Sequence, residues 1–248
     1  MIKISIVSYL NSLPFLHGLQ NSPISEQLEI SEDAPAICAE KIINGTADIG
    51  LVPVAVLPLL SFYQIVSNYC IGCKGKVHSV LLLSDVPLQE IKTVKLDYQS
   101  RTSVQLVKIL AKHHWKIEPT WEAASTGFES DIKGSTAGVV IGDRAMAERK
   151  KHDYIYDLGE AWQQMTGLPF VFAVWVSTRP VSDEISYELN KAFEQGLKAI
   201  PALAEKSNVT LGDTSEIRKY LEEYIQYDFG SPQKEAMELF LKFLNDIK

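Results

Sequence analysis

Cysteine is scarce in this chain of 248 residues: Cys38, Cys70 and Cys73 are the only three. Three cannot form a disulfide framework. Cys70-x-x-Cys73, with His78 and Cys38, is the one spacing that hints at zinc, yet no second Cys/His pair stands at finger spacing. Reduced thiols near a strand end are the expected reading. Long apolar runs are also missing. The longest, Ile49 to Leu60, is interrupted by Gly50, Pro53 and Pro58, and a membrane span needs ~18 residues. Basic residues are outnumbered, 24 Lys and Arg against 31 Asp and Glu, for a formal net charge of −7. No Lys/Arg block or RNA-binding aromatic motif offsets that balance, so a nucleic-acid partner is excluded. The N-terminal Met1–Val7 carries one Lys and turns polar at Ser8. It is too short for a signal-peptide core and reads as a first strand, which predicts a cytoplasmic protein.

Familiar catalytic signatures are missing as well. There is no Gly-x-Ser-x-Gly, His-Glu-x-x-His, Gly-x-Gly-x-x-Gly or Walker Gly-Lys-Ser/Thr. The five histidines, His17, His78, His113, His114 and His152, are scattered without ligand spacing. An enzyme built from this chain is expected to work by polar binding and positioning, without a metal or a nucleophile.

What is present is an ordinary globular composition, 46% hydrophobic and 22% charged, enough for one large domain or two small ones. Ile2–Ser8, Leu28–Ile30 and Asp48–Val52 read as strands alternating with helical segments at Ala36–Asn44 and from Pro53 to Leu60. That order predicts a parallel sheet with helices on its faces. A second βα system follows, with strands at Val77–Ser84, Thr93–Leu96 and Ala137–Ile141 and helices from Thr102 to His114 and over Arg144–Lys150. Phe170–Thr178 is a long apolar strand, and Glu184–Ala199, Ser215–Gln226 and Ser231–Asp246 read as amphipathic helices with no strand between them. The strands at 77–84 and 170–178 lie where the chain would cross between the systems. The expected organisation is therefore two hinged α/β lobes, residues 1–85 with 176–248 and residues 86–175, with a ligand in the cleft.

Ligands of open α/β sheets bind beyond the carboxyl ends of the strands, and three loops there carry polar groups. Ser8-Tyr9-Leu10-Asn11-Ser12 offers a phenol, an amide and hydroxyls; Asn11 or Ser12 is also a helix cap. Ser100-Arg101-Thr102-Ser103 places hydroxyls and a permanent cation at a helix N-terminus, which suits a carboxylate or phosphate. Gly142-Asp143-Arg144 supplies Asp143 as cap or as a cleft acceptor. On the crossing strand, alternation allows only one of His78 and Ser79 to look inward, and the buried character of Val77, Val80, Leu81 and Leu82 favours Ser79. The excess acid sits in the flanks: residues 86–175 carry eleven charges of each sign. The loop at 100–103 is therefore in a neutral segment, and screening over ~8–10 Å lets local donors act on an anion.

Five motifs stand in order: Val7-Ser8-Tyr9-Leu10-Asn11-Ser12-Leu13-Pro14, Asp48-Ile49-Gly50-Leu51-Val52-Pro53-Val54, Ser100-Arg101-Thr102-Ser103, Gly142-Asp143-Arg144-Ala145 and Thr166-Gly167-Leu168-Pro169-Phe170-Val171-Phe172-Ala173-Val174-Trp175. Together they resemble the chorismate dehydratase family of the futalosine route to menaquinone. The resemblance implies an α/β, type II periplasmic-binding-protein-like fold. It also implies a hydro-lyase that converts chorismate to 3-[(1-carboxyvinyl)oxy]benzoate with no metal or organic cofactor. The candidate substrate-binding residues are Ser8, Tyr9, Asn11, Ser79, Arg101, Thr102, Ser103, Gly142 and Asp143, with Asn11 orienting the leaving hydroxyl or the enolpyruvyl group. Two other functions share the fold: a non-catalytic binding protein for a small carboxylate, and the related 1,4-dihydroxy-6-naphthoate synthase, which the Ser-Tyr-Leu-Asn-Ser-Leu-Pro opening disfavours.

Overall fold

A computed structural model describes residues 1–206 and 214–247. Its elements, in chain order, are β1 (Ile2–Val7), α1 (Leu13–Gln20), β2 (Leu28–Asp33), α2 (Pro35–Ile43), β3 (Ile49–Pro53) and β4 (Gln64–Cys73). There follow β5 (Val80–Ser84), β6 (Thr93–Leu96), α3 (Thr102–Leu110), β7 (Thr120–Ala123), β8 (Thr136–Ile141), α4 (Gly142–Glu148), β9 (Tyr154–Asp157) and α5 (Leu158–Thr166). The last part holds β10 (Phe170–Ser177), α6 (Asp183–Lys198), α7 (Ile200–Lys206), α8 (Thr214–Lys219), β11 (Gln226–Asp228) and α9 (Ser231–Asp246). No helix among the described residues is long and apolar enough to cross a membrane.

The strands form two sheets, β11-β4-β10-β3-β1-β2 and β7-β6-β8-β5-β9. β1 pairs in parallel with β2 and β3, as the alternating strand and helix pattern requires, while β10 runs antiparallel to β3 and β4. In the second sheet β6 is parallel to β7 and β8, and β5 is antiparallel to β8 and β9. The first sheet's core centres on Phe15, Trp175 and Phe193, with Trp175 stacked on Phe193 at 4.6 Å and edge-on to Phe15 at 5.8 Å. Helices α1 and α6 meet there backbone to backbone. A Cβ at Gly18 would lie 1.9 Å from the Ala192 carbonyl oxygen, so only glycine permits this approach.

Several sequence expectations change. Residues 80–85 were expected in the first lobe, but β5 pairs only within the second sheet. The crossings are not long strands: they are the short segments 74–79 and 167–169. Gly75 and His78 take left-handed backbone conformations, φ 88° and 62°, which break the strand. The Asp157 carboxylate then accepts the N–H groups of Val77 and His78 at 3.0 and 2.8 Å while capping α5. On the return, the Trp162 indole N–H donates to the Pro169 carbonyl at 2.9 Å. The sequence reading left 61–76 unassigned, and β4 lies there. Its polar interruption at Ser67-Asn68 is absorbed by Asn190 of α6, whose Oδ1 accepts from both at 2.9 Å. The tail does contain a strand, the three-residue β11, and the segment from Pro53 to Leu60 is a 3₁₀ turn over Val54–Leu59 rather than an α-helix. Four further elements, β7, β9, α5 and α7, were also missed.

Candidate active site between the two sheets

The carboxyl ends of β1, β3, β6 and β8, the crossing at 74–79 and residues 172–173 of β10 converge on one cavity. Apolar groups from both sheets line most of it, Val7, Leu51, Ile71, Val80, Ile141 and Phe172 among them. Into this wall project Tyr9, Asn11, Ser79, Arg101, Thr102, Ser103 and Gly142 from the sequence-based set, together with Ser12 and Ser100. Ser8 and Asp143 are not in the lining. The Ser8 side chain faces solvent while its N–H is tied to the Asp33 carbonyl at 2.9 Å. Asp143 does not cap α4, whose N-cap is Ile141; its Oδ1 accepts the Leu10 N–H at 3.3 Å. Burial pushes the Asp143 carboxyl above its ordinary range, and that N–H opposes the rise.

Tyr9 presents its ring to the cavity and turns its hydroxyl away. The phenol donates to Gln99 Oε1 at 2.6 Å, and burial pushes its titration well up, so it stays protonated. The ring lies against Gly142, which has φ 64°; a Cβ there would stand 2.9 Å from the ring carbons. Glycine is required at 142 for both reasons. Gln99 Oε1 also accepts from Arg144 at 2.9 Å, and the same guanidinium nitrogen reaches both oxygens of Asp97 at 2.8 and 2.7 Å. Arg144 bonds Glu129 as well. The Asp97 side chain is fully buried and takes two further N–H groups, from Gln99 at 2.9 Å and Ile141 at 3.1 Å. Burial pushes its carboxyl up against the pull of Arg144, whose own titration the adjacent Asp97 raises despite desolvation.

The turn at 100–103 divides its labour differently from the expectation. Ser100 Oγ accepts the Ser103 N–H at 3.0 Å and so does the capping. The Thr102 hydroxyl donates to the Phe172 carbonyl at 3.0 Å and accepts from the Ala55 N–H at 3.3 Å, bracing α3 against the first sheet. That leaves the Ser103 hydroxyl and the α3 N-terminus toward the cavity, with the field that favours an anion. Arg101 lies at the mouth, its guanidinium 3.7 Å from Glu40 of α2 on the opposite side.

Across the cavity, the Asn11 and Ser79 groups are held by the C-terminal tail. The Tyr220 hydroxyl donates to Ser79 Oγ at 2.8 Å, and the Tyr227 hydroxyl donates to the Asn11 carbonyl at 3.1 Å. Ser79 is buried in the wall, whereas His78 points elsewhere: its Nδ1 is 3.0 Å from the Arg149 guanidinium and its ring lies 4.0 Å from that of Tyr224. Burial, then Arg149, Lys76 and Lys219, lower His78 to about 4, so it is a neutral acceptor for Arg149 near neutral pH. Among the described residues no group of three or more His, Cys, Asp or Glu is arranged to hold a metal. All three thiols are buried and pushed up by desolvation, Cys38 to about 12. Sequence reasoning missed Gln99, Asp97, Tyr220 and Tyr227. Arg144 lay inside a recognised motif without an assigned role, and nothing local marks the tail tyrosines.

A sequence profile of the family described as menaquinone biosynthesis matches residues 2–246. The chain is 25% identical over 256 aligned residues to a protein named chorismate dehydratase from Thermus thermophilus, covering 95% of this chain and 92% of that one. It is 24% identical over 196 residues to another of that name from Campylobacter jejuni, covering 75% and 87%. A Candida albicans gene product described as having the generic periplasmic binding protein fold superposes with a TM-score of 0.62 at 11% identity, over 100% of this chain and 90% of that one. The fold expected from the motifs is the fold found.

Proposed function

This chain belongs to the menaquinone-biosynthesis family, and from that premise we propose that it is a chorismate dehydratase. It would remove water from chorismate to give 3-[(1-carboxyvinyl)oxy]benzoate. The observation that carries the reading is the polar pattern of the cavity. Asn11 and Ser79 stand on one wall and the Ser103 hydroxyl with the α3 N-terminus on the other, in a lining otherwise largely apolar. Two separated sets of neutral donors suit a ring that carries one carboxylate directly and a second on its enolpyruvyl arm. The apolar wall and the Tyr9 ring suit the ring itself.

The reaction asks little else of the protein. Chorismate holds a hydrogen on C3 and a hydroxyl on C4, and losing both makes the ring aromatic. The C3–H bond is vinylogously conjugated with the ring carboxylate. When its proton leaves, the electron pair passes into a dienolate that donors at the α3 N-terminus stabilise. The C4–O bond then breaks, and the hydroxide leaves with a proton as water. No side chain in the lining is a free base, since His78 is turned away, so the substrate's own enolpyruvyl carboxylate takes the C3 proton. Asn11 holds the leaving hydroxyl or that enolpyruvyl arm in the eliminating geometry and away from Claisen rearrangement.

Incubation of the purified protein with chorismate, followed by mass and absorbance for the aromatic ether, tests the reading. Time-dependent formation of product 18 Da lighter than chorismate is expected. Tight chorismate binding with no turnover would instead make it a binding protein, and neither binding nor turnover would point to a different acid. Asn11→Ala should lower kcat by roughly 10²-fold, the usual cost of one transition-state donor, and raise KM far less. An unchanged kcat removes Asn11 from the chemistry.

A further inference from the structure

The Arg144–Asp97 pair takes no part in the elimination, yet it is bonded to a residue that reaches across the cleft. Gln99 follows β6 of the second sheet, and Tyr9 follows β1 of the first. Their side chains meet with the Tyr9 hydroxyl 2.6 Å from Gln99 Oε1. Tyr9 lines the cavity and Gln99 does not, so this contact joins the lining to the structure behind it.

Arg144 settles which end of the Gln99 amide meets the phenol. A guanidinium only donates, and its Nη2 lies 2.9 Å from the same Oε1. A reversed amide would set donor against donor. Oε1 therefore faces Arg144, and the phenol donates its hydrogen to that oxygen. Arg144 is itself placed by both oxygens of Asp97, at 2.8 and 2.7 Å, and by the Tyr98 ring, whose centroid is 5.3 Å from the guanidinium carbon. The Gln99 main chain is pinned as well, its N–H donating to Asp97 Oδ1 at 2.9 Å. Across the cleft, Asp143 accepts the Leu10 N–H at 3.3 Å. That bond fixes the main chain beside Tyr9 and not the ring.

We propose that Gln99 is a positioning residue: its Oε1, aimed by Arg144, anchors the Tyr9 phenol across the cleft and holds the Tyr9 ring in the cavity wall, where it meets the ring of the substrate. The kinetic consequence rests on the dehydratase reading; the placement of the Tyr9 ring does not. Gln99→Met keeps the length of the side chain and removes the acceptor. Arg144 retains Asp97, so no charge is stranded. With chorismate the change should raise KM about fivefold, the worth of about one hydrogen bond. The substrate ring is in contact before and during elimination alike, so kcat should stay within about twofold. In a Tyr9→Phe background the same change should cost less than about twofold, because the hydroxyl it acts through is gone. Equal losses in both backgrounds would mean that Gln99 acts through Arg144 or general packing, and would overturn the proposal. A loss confined to kcat would overturn it too.

A second measurement does not depend on turnover. A Cβ at Gly142 would stand 2.9 Å from the Tyr9 ring carbons, so one Gly142 α-proton points at the ring and its NMR signal should be displaced by the ring current. The displacement is identified by its disappearance in Tyr9→Leu. Gln99→Met should remove most of it. If chorismate gives no product with the wild-type protein, the dehydratase reading fails while this measurement still decides the placement of the ring. A displacement unchanged in Gln99→Met, or absent from the wild type, would overturn the proposal.

Discussion

The cavity has two walls that are propped in opposite ways. Behind the Gly142 wall stands a partly buried ionic cluster, Arg144 with Asp97 and Glu129. Behind the Asn11 and Ser79 wall stand neutral phenols, Tyr220 and Tyr227. An ionic prop is strong while complete and costly when one partner is lost, because a desolvated charge remains. A phenolic prop forfeits about one hydrogen bond when truncated and leaves no charge behind. The difference teaches where each wall is vulnerable: the first to single substitutions, the second to loss of orientation with little loss of stability.

The largest effect should come from breaking the ionic prop. Arg144→Met strands the Asp97 carboxylate and should destabilise the protein by about 3–5 kcal/mol, read from the urea midpoint. Adding Asp97→Asn removes the stranded charge and should recover at least half of that loss. No recovery would show that packing, not charge, dominates this wall.

A smaller effect should separate the walls by pH. His78 stands next to Ser79 and is held neutral, with its titration lowered from the usual 6.5 to about 4 by burial and by neighbouring cations. The unfolded chain therefore binds more protons between those values, so stability falls as pH drops through that window. The group is half-buried, and screening reduces the contribution to about 1–2 kcal/mol. His78→Asn, which tolerates the positive φ, should make the protein relatively more stable than wild type at pH 4.5 than at pH 7.5. Parallel melting curves across that range would show that His78 does not set the acid sensitivity.

The smallest change concerns the link between the two walls, Tyr9 to Gln99. Tyr9→Phe leaves Gln99 Oε1 still bonded to Arg144, so the expected cost is only about 1 kcal/mol. A loss approaching that of Arg144→Met would make the phenol a member of the ionic prop and erase the distinction.

Most of the cavity was legible from local patterns. Strands ending in Asn11-Ser12, Ser100–Ser103 and Gly142 announce themselves by cap-type residues beyond β-branched runs, and seven of the nine expected binding residues line the cavity. Ser8 and Asp143 were misplaced because a loop's sequence does not say which way each side chain turns. Asp143 serves the Leu10 N–H from across the cleft, a partner that no local pattern marks. The β4 strand was passed over because Ser67 and Asn68 look like a turn until Asn190 supplies their partner.

By itself the sequence determined the class of the protein. Hydrophobic periodicity and strand-end chemistry are local, so they specified an α/β chain with anion-suited loops, and the ordered motifs specified the family. Only the tertiary structure decided how those loops are held. The crossings at 74–79 and 167–169, the buried Arg144–Asp97 pair and the phenols of Tyr220 and Tyr227 all depend on partners far away in the chain. A buried polar group takes whichever donor or acceptor the packing brings within reach, and packing is a property of the whole fold.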